Sequence, residues 1–417
     1  MREKRERERE RERERKMSDG ASAEAELLKK LTITDGKVTE LAKAREEAAL
    51  TLADLYANRG SSDKLVGLLE DLKPFFSTIP KAKTAKIVRA IIDAVSKIPG
   101  TTELQLKLCR EQAAWARSEK RTFLRQRIET RLATLLFATR DYQGALSLIS
   151  TLLSEVKRLD DKLLLVDIHL LESRVHHALR NLPKSKAALT AARTAANAIY
   201  VPPAAQAEID CQSGTLHAEE KDYKTAYSYF YEGFEQYSSV DESKAGPVLK
   251  YMLLCKIMSG NAEDVAGIVN TKAGLKYSNI PGVNAMLEIA EVYKQRSIQA
   301  YQAALEKHKD SLTQDLVVMG HLQALYEKML EQNILRIIEP YSQVEVDFIA
   351  SQLSLDKSLV ERKLSTMILD GIVFGTLEND SSLIVYDKPS NDAFYKESIS
   401  TIENISHAVD VLTKVIS

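Results

Sequence analysis

The 417-residue sequence lacks several features that whole classes of protein require. It has only three cysteines, Cys109, Cys211 and Cys255, which lie far apart and predict buried thiols in a reducing compartment rather than a disulfide framework. It has no run of about 18 apolar residues, so we expect no membrane span and a cytoplasmic and nuclear location. The formal net charge of −1 argues against a chain that coats nucleic acid or an anionic membrane.

Motifs for catalysis are also missing. The sequence contains no phosphate-binding loop, no dinucleotide-binding glycine motif and no nucleophile elbow. The seven histidines are not accompanied by cysteines or carboxylates at the spacing of a metal site, and we interpret them as solvated or capping residues. We therefore predict no catalytic residue, no cofactor, no bound metal and no enzymatic activity.

The first residues differ in composition from the rest of the chain. Residues 2–16 carry nine basic and six acidic side chains in near alternation, which places like charges four apart on a helix and offers nothing apolar to pack. We predict a disordered Arg/Glu leader over residues 1–20. Met17 resembles a natural start codon position, and we expect residues 1–16 to be untranslated mRNA leader that has been read as protein.

Short turn signals recur about every forty residues through the first two thirds of the chain. They lie around Asp63, Glu103, Tyr142, Pro183, Tyr223 and Glu263. The interval accommodates two helices and two turns, and the aromatic–alanine pairs Tyr142/Ala145 and Tyr223/Ala226 suit a close approach of two helices. The pattern predicts TPR-like two-helix repeats stacked into an α-solenoid over residues 21–230. An unrelated helical bundle is the alternative.

The repeat pattern ends after Asn333. The segment "LRIIEPYS" reads as an extended stretch, and two capping boxes, Ser342/Glu345 and Ser358/Glu361, predict the starts of two short helices. A glycine cap at Gly371 and two strands, "IVFGTLE" and "SLIVYD", follow. Helix, helix and β-hairpin in this order predict a winged helix at about residues 336–389. Its second helix has no net charge and its wing is acidic, which disfavours DNA binding without removing it as an alternative.

The last segment, residues 390–417, reads as one helix with an apolar stripe. The stripe residues are Ile399, Ile402, Ile405, Val409, Leu412 and Ile416. A heptad-like stripe must be buried against another element, and we predict an intermolecular helical bundle. Packing on the chain's own solenoid is the alternative. Elsewhere, the basic stretch at residues 117–131 predicts either a partner-facing ridge or an ordinary solvated helix face.

Several long blocks resemble one family. "WARSEKRTFLRQRIETRL", "EKDYKTAYSYFYEGFEQY" and "EQNILRIIEPYSQVEVDFIA" are similar to the family of the 26S proteasome non-ATPase regulatory subunit 11, whose members are PCI-domain subunits of the proteasome lid. The resemblance extends from about Leu27 to the end, whereas residues 270–297 depart from the family pattern. It implies a right-handed α-solenoid, a PCI domain at residues 231–389 and a C-terminal bundle helix at residues 390–417.

The resemblance also implies a function and a set of contacts. It implies a non-catalytic scaffold that contacts other lid PCI subunits, a proteasomal ATPase subunit and a core-particle outer-ring subunit. Two surfaces are implied, the C-terminal stripe and a strand edge that pairs winged helices. The strand residues are Leu383, Ile384, Val385, Tyr386 and Asp387. A PCI subunit of the signalosome or of a translation initiation factor is the alternative, and a nucleic-acid-binding winged-helix protein is less favoured.

Overall fold

A computed structural model describes residues 38–73, 76, 81–312, 315–378, 382–386 and 393–416. The predicted leader at residues 1–20 lies outside these residues. The chain divides into two compact units, Met1–Val248 and Leu249–Ser417, and the predicted domain boundaries stay predictions. None of the helices in the described part has the length and apolar character needed to cross a membrane.

The first unit is helical wherever the structure describes it, and from α1 to α10 each helix packs on the next. Helices two apart also meet, because α1 packs on α3, α5 on α7 and α7 on α9. This is the packing of a helical solenoid, which confirms the predicted class. The helices are α1 (Val38–Arg59), α2 (Ser62–Leu72), α3 (Lys81–Ser96), α4 (Thr102–Ser118), α5 (Thr122–Ala138), α6 (Tyr142–Leu159), α7 (Lys162–Ala178), α8 (Leu182–Asn197), α9 (Pro203–Glu219), α10 (Tyr223–Val240) and α11 (Glu242–Met258), the last of which continues into the second unit.

The predicted forty-residue repeat is present in the helix starts. The even-numbered helices from α2 to α10 begin at residues 62, 102, 142, 182 and 223. Three of these starts are capped by a side-chain oxygen that accepts a hydrogen bond from the backbone N–H three residues later. The cap residues are Asp141 (3.0 Å to Gly144), Asn181 (3.4 Å to Lys184) and Asp222 (3.3 Å to Thr225). Each cap satisfies a helical N–H that has no partner within the helix.

The helix ends show a half-repeat of twenty residues. A residue with positive φ follows or caps many of the helices, and the next backbone N–H then bonds to a carbonyl five residues earlier, as from Asp141 to Leu136 at 3.0 Å. Glycine holds this position at Gly60, Gly100 and Gly260. A residue with a Cβ holds it elsewhere, at Lys120, Arg140, Asp160, Arg180 and Lys221, with φ between 54° and 66°. The local conformation therefore repeats even where the glycine does not.

Two helical glycines show how closely α9 and α10 approach. A Cβ added at Gly214 would lie 2.9 Å from the Phe230 ring, and one at Gly233 would lie 2.9 Å from Cys211 Sγ. Glycine lowers helix propensity, so its use here indicates that backbone contact outweighs that cost. The alanines of the predicted aromatic–alanine pairs, Ala145 and Ala226, are fully buried, which confirms the expected small contacts.

The second unit continues with shorter helices and ends in a small mixed module. Its elements after α11 are α12 (Asp264–Val269), a 3₁₀ turn (Gly274–Tyr277), α13 (Pro281–Gln295), α14 (Ile298–Lys307), α15 (Lys309–Leu312), α16 (Leu316–Ile338), β1 (Gln343–Glu345), α17 (Val346–Leu353), α18 (Lys357–Leu369), β2 (Gly375–Leu377), β3 (Ser382–Val385) and α19 (Ala393–Ile416). The elements β1, α17, α18, β2 and β3 form the predicted winged helix.

The winged helix has a third strand that the sequence analysis did not predict. The antiparallel sheet has the order β1–β3–β2, and Leu383 of β3 lies opposite Val344 of β1 and Leu377 of β2. The apolar stripes of its two helices form its core. Val346, Ile349, Ala350 and Leu353 of α17 pack with Val360, Leu364 and Met367 of α18, and all are buried. The predicted cap at Gly371 is also present, with φ of 67°.

Three local predictions in this region are wrong. The stretch "LRIIEPYS" is not extended at its start, because α16 continues to Ile338. The box predicted at residues 342–345 instead forms β1, and α17 begins after Glu345 without a side-chain cap. The box at residues 358–361 is absent because α18 begins at Lys357 and Ser358 Oγ donates to Asp356 Oδ2 at 2.8 Å. The N-cap lies at Glu345 instead of Ser342 in the first box and at Asp356 instead of Ser358 in the second.

Candidate protein-interaction surfaces

The strand predicted to offer a pairing edge is the central strand of the sheet. On one side Val385 N donates to Ser342 O at 2.9 Å, and on the other Tyr386 N donates to Phe374 O at 2.7 Å. For the described residues 383–386 the prediction of a free edge is wrong, because the unpredicted strand β1 pairs with β3 on that side. Among the described strands, β1 and β2 are the outer ones, and each presents one side of its backbone away from β3.

The side chains of β3 differ in accessibility. Leu383 is fully buried in the winged-helix core, and Ile384 and Val385 are half-buried. Tyr386 is 52% exposed, and its hydroxyl lies 2.9 Å from Thr376 Oγ1. Asp387 lies outside the described residues. A role of this strand in subunit contact stays a prediction, and within it Tyr386 presents the open side chain.

The second helix of the winged helix, α18, does not present a basic face. Lys357 Nζ lies 3.0 Å from Asp347 Oδ2, and Lys363 Nζ lies 2.8 Å from Glu331 Oε1. The hydrogen bond from Lys357 to Asp347 raises the pKa of that lysine. Of the helix cations, only Arg362 has no carboxylate partner among the described residues. DNA phosphates would therefore compete with internal carboxylates for the helix lysines.

The apolar stripe of α19 is uncovered. Each of its described side chains is more than half exposed, from 54% to 65%, at Ile399, Ile402, Ile405, Val409 and Leu412. Ile416 lies in the helix, but its side chain is outside the described part. Burial of this stripe in an intermolecular bundle or on the chain's own solenoid stays a prediction.

The geometry of α19 suits a helical partner. Its 24 residues span about 36 Å at 1.5 Å per residue. Hydroxyl groups bond back to the helix backbone, as from Ser398 to Phe394 O at 2.7 Å and Thr413 to Val409 O at 2.7 Å. Ser400, Glu403 and His407 lie opposite the apolar stripe. Burial of five such side chains contributes on the order of 10 kcal/mol before ordering costs, so the stripe can anchor a stable interface.

The basic stretch at residues 117–131 does not form one surface. Arg121 is buried, donates to Phe76 O at 2.9 Å and lies over the Trp115 ring. Arg125 pairs with Glu155. The ridge predicted as one alternative is therefore divided between core and surface, and only part of it faces solvent.

Two of the seven histidines and two of the three cysteines are buried. His169 and His321 are buried, so their interpretation as solvated or capping residues is wrong. His169 Nδ1 lies 2.9 Å from Glu172 Oε2 on the same helix. Burial raises the pKa of the Cys109 thiol to about 11, which makes it a poor nucleophile. Among the residues that the structure describes, no group of three histidine, cysteine or acidic side chains lies where it could hold a metal ion.

Comparison with known proteins identifies the family. The family model of the 26S proteasome regulatory subunit RPN6 N-terminal domain matches residues 4–139, and the PCI domain model matches residues 305–388. The 26S proteasome non-ATPase regulatory subunit 11 homolog of Arabidopsis thaliana is 55% identical over 374 residues, which cover 89% of each chain. The chain belongs to the 26S proteasome non-ATPase regulatory subunit 11 family.

Further members of the subunit 11 family show the same coverage. The 26S proteasome non-ATPase regulatory subunit 11 of Dictyostelium discoideum is 48% identical over 88% of this chain and 89% of its own. The 26S proteasome regulatory subunit RPN6 of Saccharomyces cerevisiae is 42% identical over 88% of this chain and 86% of its own. The PCI match contains α16 and the winged helix, which confirms the predicted module at the chain's C-terminal third.

Proposed function

We propose that this chain is a non-catalytic scaffold subunit of the 26S proteasome regulatory-particle lid. It supports lid assembly and braces the lid against the ATPase ring and the core particle during ubiquitin-dependent degradation. The observation that carries the proposal is the uncovered stripe of α19, directly after a winged helix, in a chain 55% identical to a 26S proteasome non-ATPase regulatory subunit 11 homolog. A scaffold needs such a surface, because it acts by burying it against other subunits.

Three parts of the chain supply different contacts in this proposal. The stripe of α19 joins a bundle with helices of other lid PCI subunits. The outer strands β1 and β2 offer the sheet edges at which winged helices pair, in place of the central strand β3. The N-terminal solenoid contacts a proteasomal ATPase subunit and an outer-ring subunit of the core particle, since a stack of helices presents a long continuous surface.

The proposal excludes an enzymatic role for the chain itself. Its relatives are named as non-ATPase regulatory subunits. Some buried polar side chains of the solenoid bond to one another, as Ser173 Oγ lies 3.0 Å from Ser185 Oγ. Burial raises the pKa of the Cys211 and Cys255 thiols, which makes them poor nucleophiles.

Affinity purification of the tagged full-length chain from its own cells, followed by mass spectrometry, tests this function. We expect stoichiometric recovery of proteasome lid subunits with the ATPase ring. Recovery of signalosome or initiation-factor subunits without proteasome subunits would support the sister-complex alternative instead. Salt-dependent binding of the full chain to a DNA duplex would support the nucleic-acid alternative, which the paired lysines of α18 disfavour.

A further inference from the structure

The first unit contains a groove along one face of its helices. It has a volume of about 550 Å³ and is lined by α3, α5, α7 and α9, together with the turn before α9. These are alternate helices of four successive repeats, so the groove follows one face of the solenoid. Its size falls within the range of specific ligand sites.

Four arginines line the groove. They are Arg89 of α3, Arg127 and Arg131 of α5, and Arg174 of α7. Arg127 and Arg131 belong to the basic stretch at residues 117–131, and Arg127 is exposed. The Nε atom of Arg131 is buried and has no hydrogen-bond partner among the described residues. A buried guanidinium N–H without an acceptor is costly, and a ligand oxygen would satisfy it.

Alternate helices are joined by ion pairs on both sides of this region. Glu46 and Lys86 connect α1 with α3 at 3.1 Å. Glu208 of α9 pairs with Arg174 of α7 at 3.2 Å and with Lys244 of α11 at 3.1 Å. Between α3, α5 and α7 the series is interrupted. Within the described residues, the groove arginines of α3 and α5 make no ion pair, so their charges remain available to a ligand.

The groove also has an apolar wall. Ile92, Val166 and Leu170 are buried behind it, and Leu163 is 46% exposed at its side. The exposed leucine lies on the same helix as Arg174. A ligand that fills this groove must therefore offer an apolar group together with an anionic one.

Carboxylates in the groove restrict the type of anion. Asp93, Asp167 and Glu208 line it beside the four arginines, which leaves a small positive excess. The protein walls around Asp167 limit its hydration and raise the pKa of this carboxyl to about 6, Glu208 adds to the rise, and Arg127 opposes it. Polyphosphates need a larger positive excess than this, whereas one carboxylate beside an aliphatic side chain matches both the charge and the wall.

We propose that the groove between α3, α5, α7 and α9 binds an extended peptide segment of a partner protein, in which a carboxylate lies within two residues of an aliphatic side chain. The carboxylate bonds to the guanidinium groups of Arg127 and Arg131, and the aliphatic side chain packs on Leu163. The predicted leader of this chain does not fit, because its residues 2–16 carry an excess of positive charge. The inference goes beyond the lid assignment, and its failure would leave that assignment intact.

A peptide selection on the purified full chain tests the proposal. A phage library of random dodecapeptides is selected on the chain and counter-selected on the variant Arg127→Glu with Arg131→Glu. We expect enriched peptides to carry Asp or Glu within two residues of Leu, Ile, Val or Met. Enrichment of peptides without a carboxylate, or no enrichment over the counter-selected variant, would overturn the proposal, as would retention of inorganic tripolyphosphate in place of any peptide.

Titration of the most enriched peptide, labelled with fluorescein and followed by anisotropy, then locates the site. We expect Arg127→Glu with Arg131→Glu to weaken binding at least about tenfold, because the two arginines hold the carboxylate directly. The variant Asp167→Asn should strengthen binding by about two- to threefold, since it removes a repelling charge. Opposite effects from two neighbouring positions distinguish charge recognition from a general loss of structure.

Controls keep the test decisive. Arg110→Glu with Arg158→Glu makes the same charge change on the even-numbered helices α4 and α6, outside the groove, and should leave the affinity unchanged. Circular dichroism and thermal unfolding verify each fold, and Arg127→Gln with Arg131→Gln replaces the glutamate variant if that variant unfolds. Equal affinity for the groove variant and the control variant would contradict the proposal.

Discussion

Helices α7 and α19 are both amphipathic, yet the apolar side chains of α7 are buried and those of α19 are exposed. In α7, Ile168 and Val175 are fully buried by neighbouring helices, and even Ser173 is enclosed. In α19, every described side chain except that of Ser398, which is half-buried, is exposed. The physical driving force for burial is the same in both helices. The difference shows that α7 finds its complementary surface among neighbouring helices of its own unit, whereas the burial of the α19 stripe by another chain stays a prediction.

The largest effect should come from a charge placed in the stripe of α7. Ile168→Asp buries a carboxylate in a fully enclosed position, and we expect a loss of more than about 4 kcal/mol in the free energy of unfolding. Urea unfolding of the full chain, followed by circular dichroism, measures it. Leu163→Asp on the same helix serves as the control, because Leu163 is 46% exposed, and should cost about 1 kcal/mol or less. Equal losses for both would contradict the assigned burial.

The same type of change in α19 should leave the fold intact and abolish assembly. For Val409→Asp with Leu412→Asp we expect a change of less than about 0.5 kcal/mol in unfolding free energy, because both side chains are already exposed. Incorporation into the proteasome lid should be lost, as measured by native gel electrophoresis and co-purification. Ser400→Asp with Asn404→Asp adds equal charge on the opposite face and should assemble normally. Normal assembly of the stripe variant would contradict the bundle assignment.

Local patterns predicted the helical parts of this fold well. The forty-residue repeat and the stripes of α17, α18 and α19 follow from helical periodicity, which depends on each segment alone. The half-repeat of twenty residues was not predicted, because Lys120, Arg140 and Arg180 adopt the positive φ that glycine usually marks in a sequence. The packing of successive helices imposes the chain reversal at these sites, and the residue types there do not indicate it.

Features that depend on distant segments were not predicted from the sequence. Strand β1 is only three residues long, and its pairing with β3 is fixed by the winged-helix core rather than by its own composition. The predicted edge was consequently assigned to the wrong strand. The groove is another case, because its arginines come from three helices separated by tens of residues, and only α5 showed a basic stretch.

Replacing a residue with positive φ tests whether the packing of successive helices, rather than the residue type, sets this backbone conformation. Arg140 has φ of 64°, a conformation that costs a residue with a Cβ about 1 kcal/mol and costs glycine little. We expect Arg140→Gly to stabilise the chain by about 0.5–1 kcal/mol, less the entropy that glycine adds to the unfolded chain. Urea unfolding measures the change, and Arg140→Ala, which keeps the strain, should give no gain. Stabilisation by alanine equal to that by glycine would contradict the assigned cause.

The smallest expected effect is a pH dependence of peptide binding in the groove beside α7. The stripe of α19 contains no ionisable side chain, so we expect no such effect there. The groove walls limit the hydration of Asp167 although its side chain stays accessible, and this raises its pKa to about 6. The carboxyl is therefore largely protonated at about pH 5.5 and ionised at about pH 7.5. Protonation removes a negative charge beside the bound carboxylate, whose own pKa lies near 4. Binding of the selected peptide should therefore be about two- to threefold tighter at the lower pH.

The charges that face Asp167 set the sign of this effect. Glu208 of α9 and Asp161 at the start of α7 raise its pKa, and Arg127 of α5 lowers it. The other charges in the groove are Arg89, Asp93, Arg131 and Arg174. The arginines stay protonated over this range, so they add no pH dependence of their own. Anisotropy titrations at the two pH values measure the change, and Asp167→Asn should abolish it. A pH dependence that persists in Asp167→Asn would show that another group is responsible, whereas its loss would tie groove affinity to this one carboxyl.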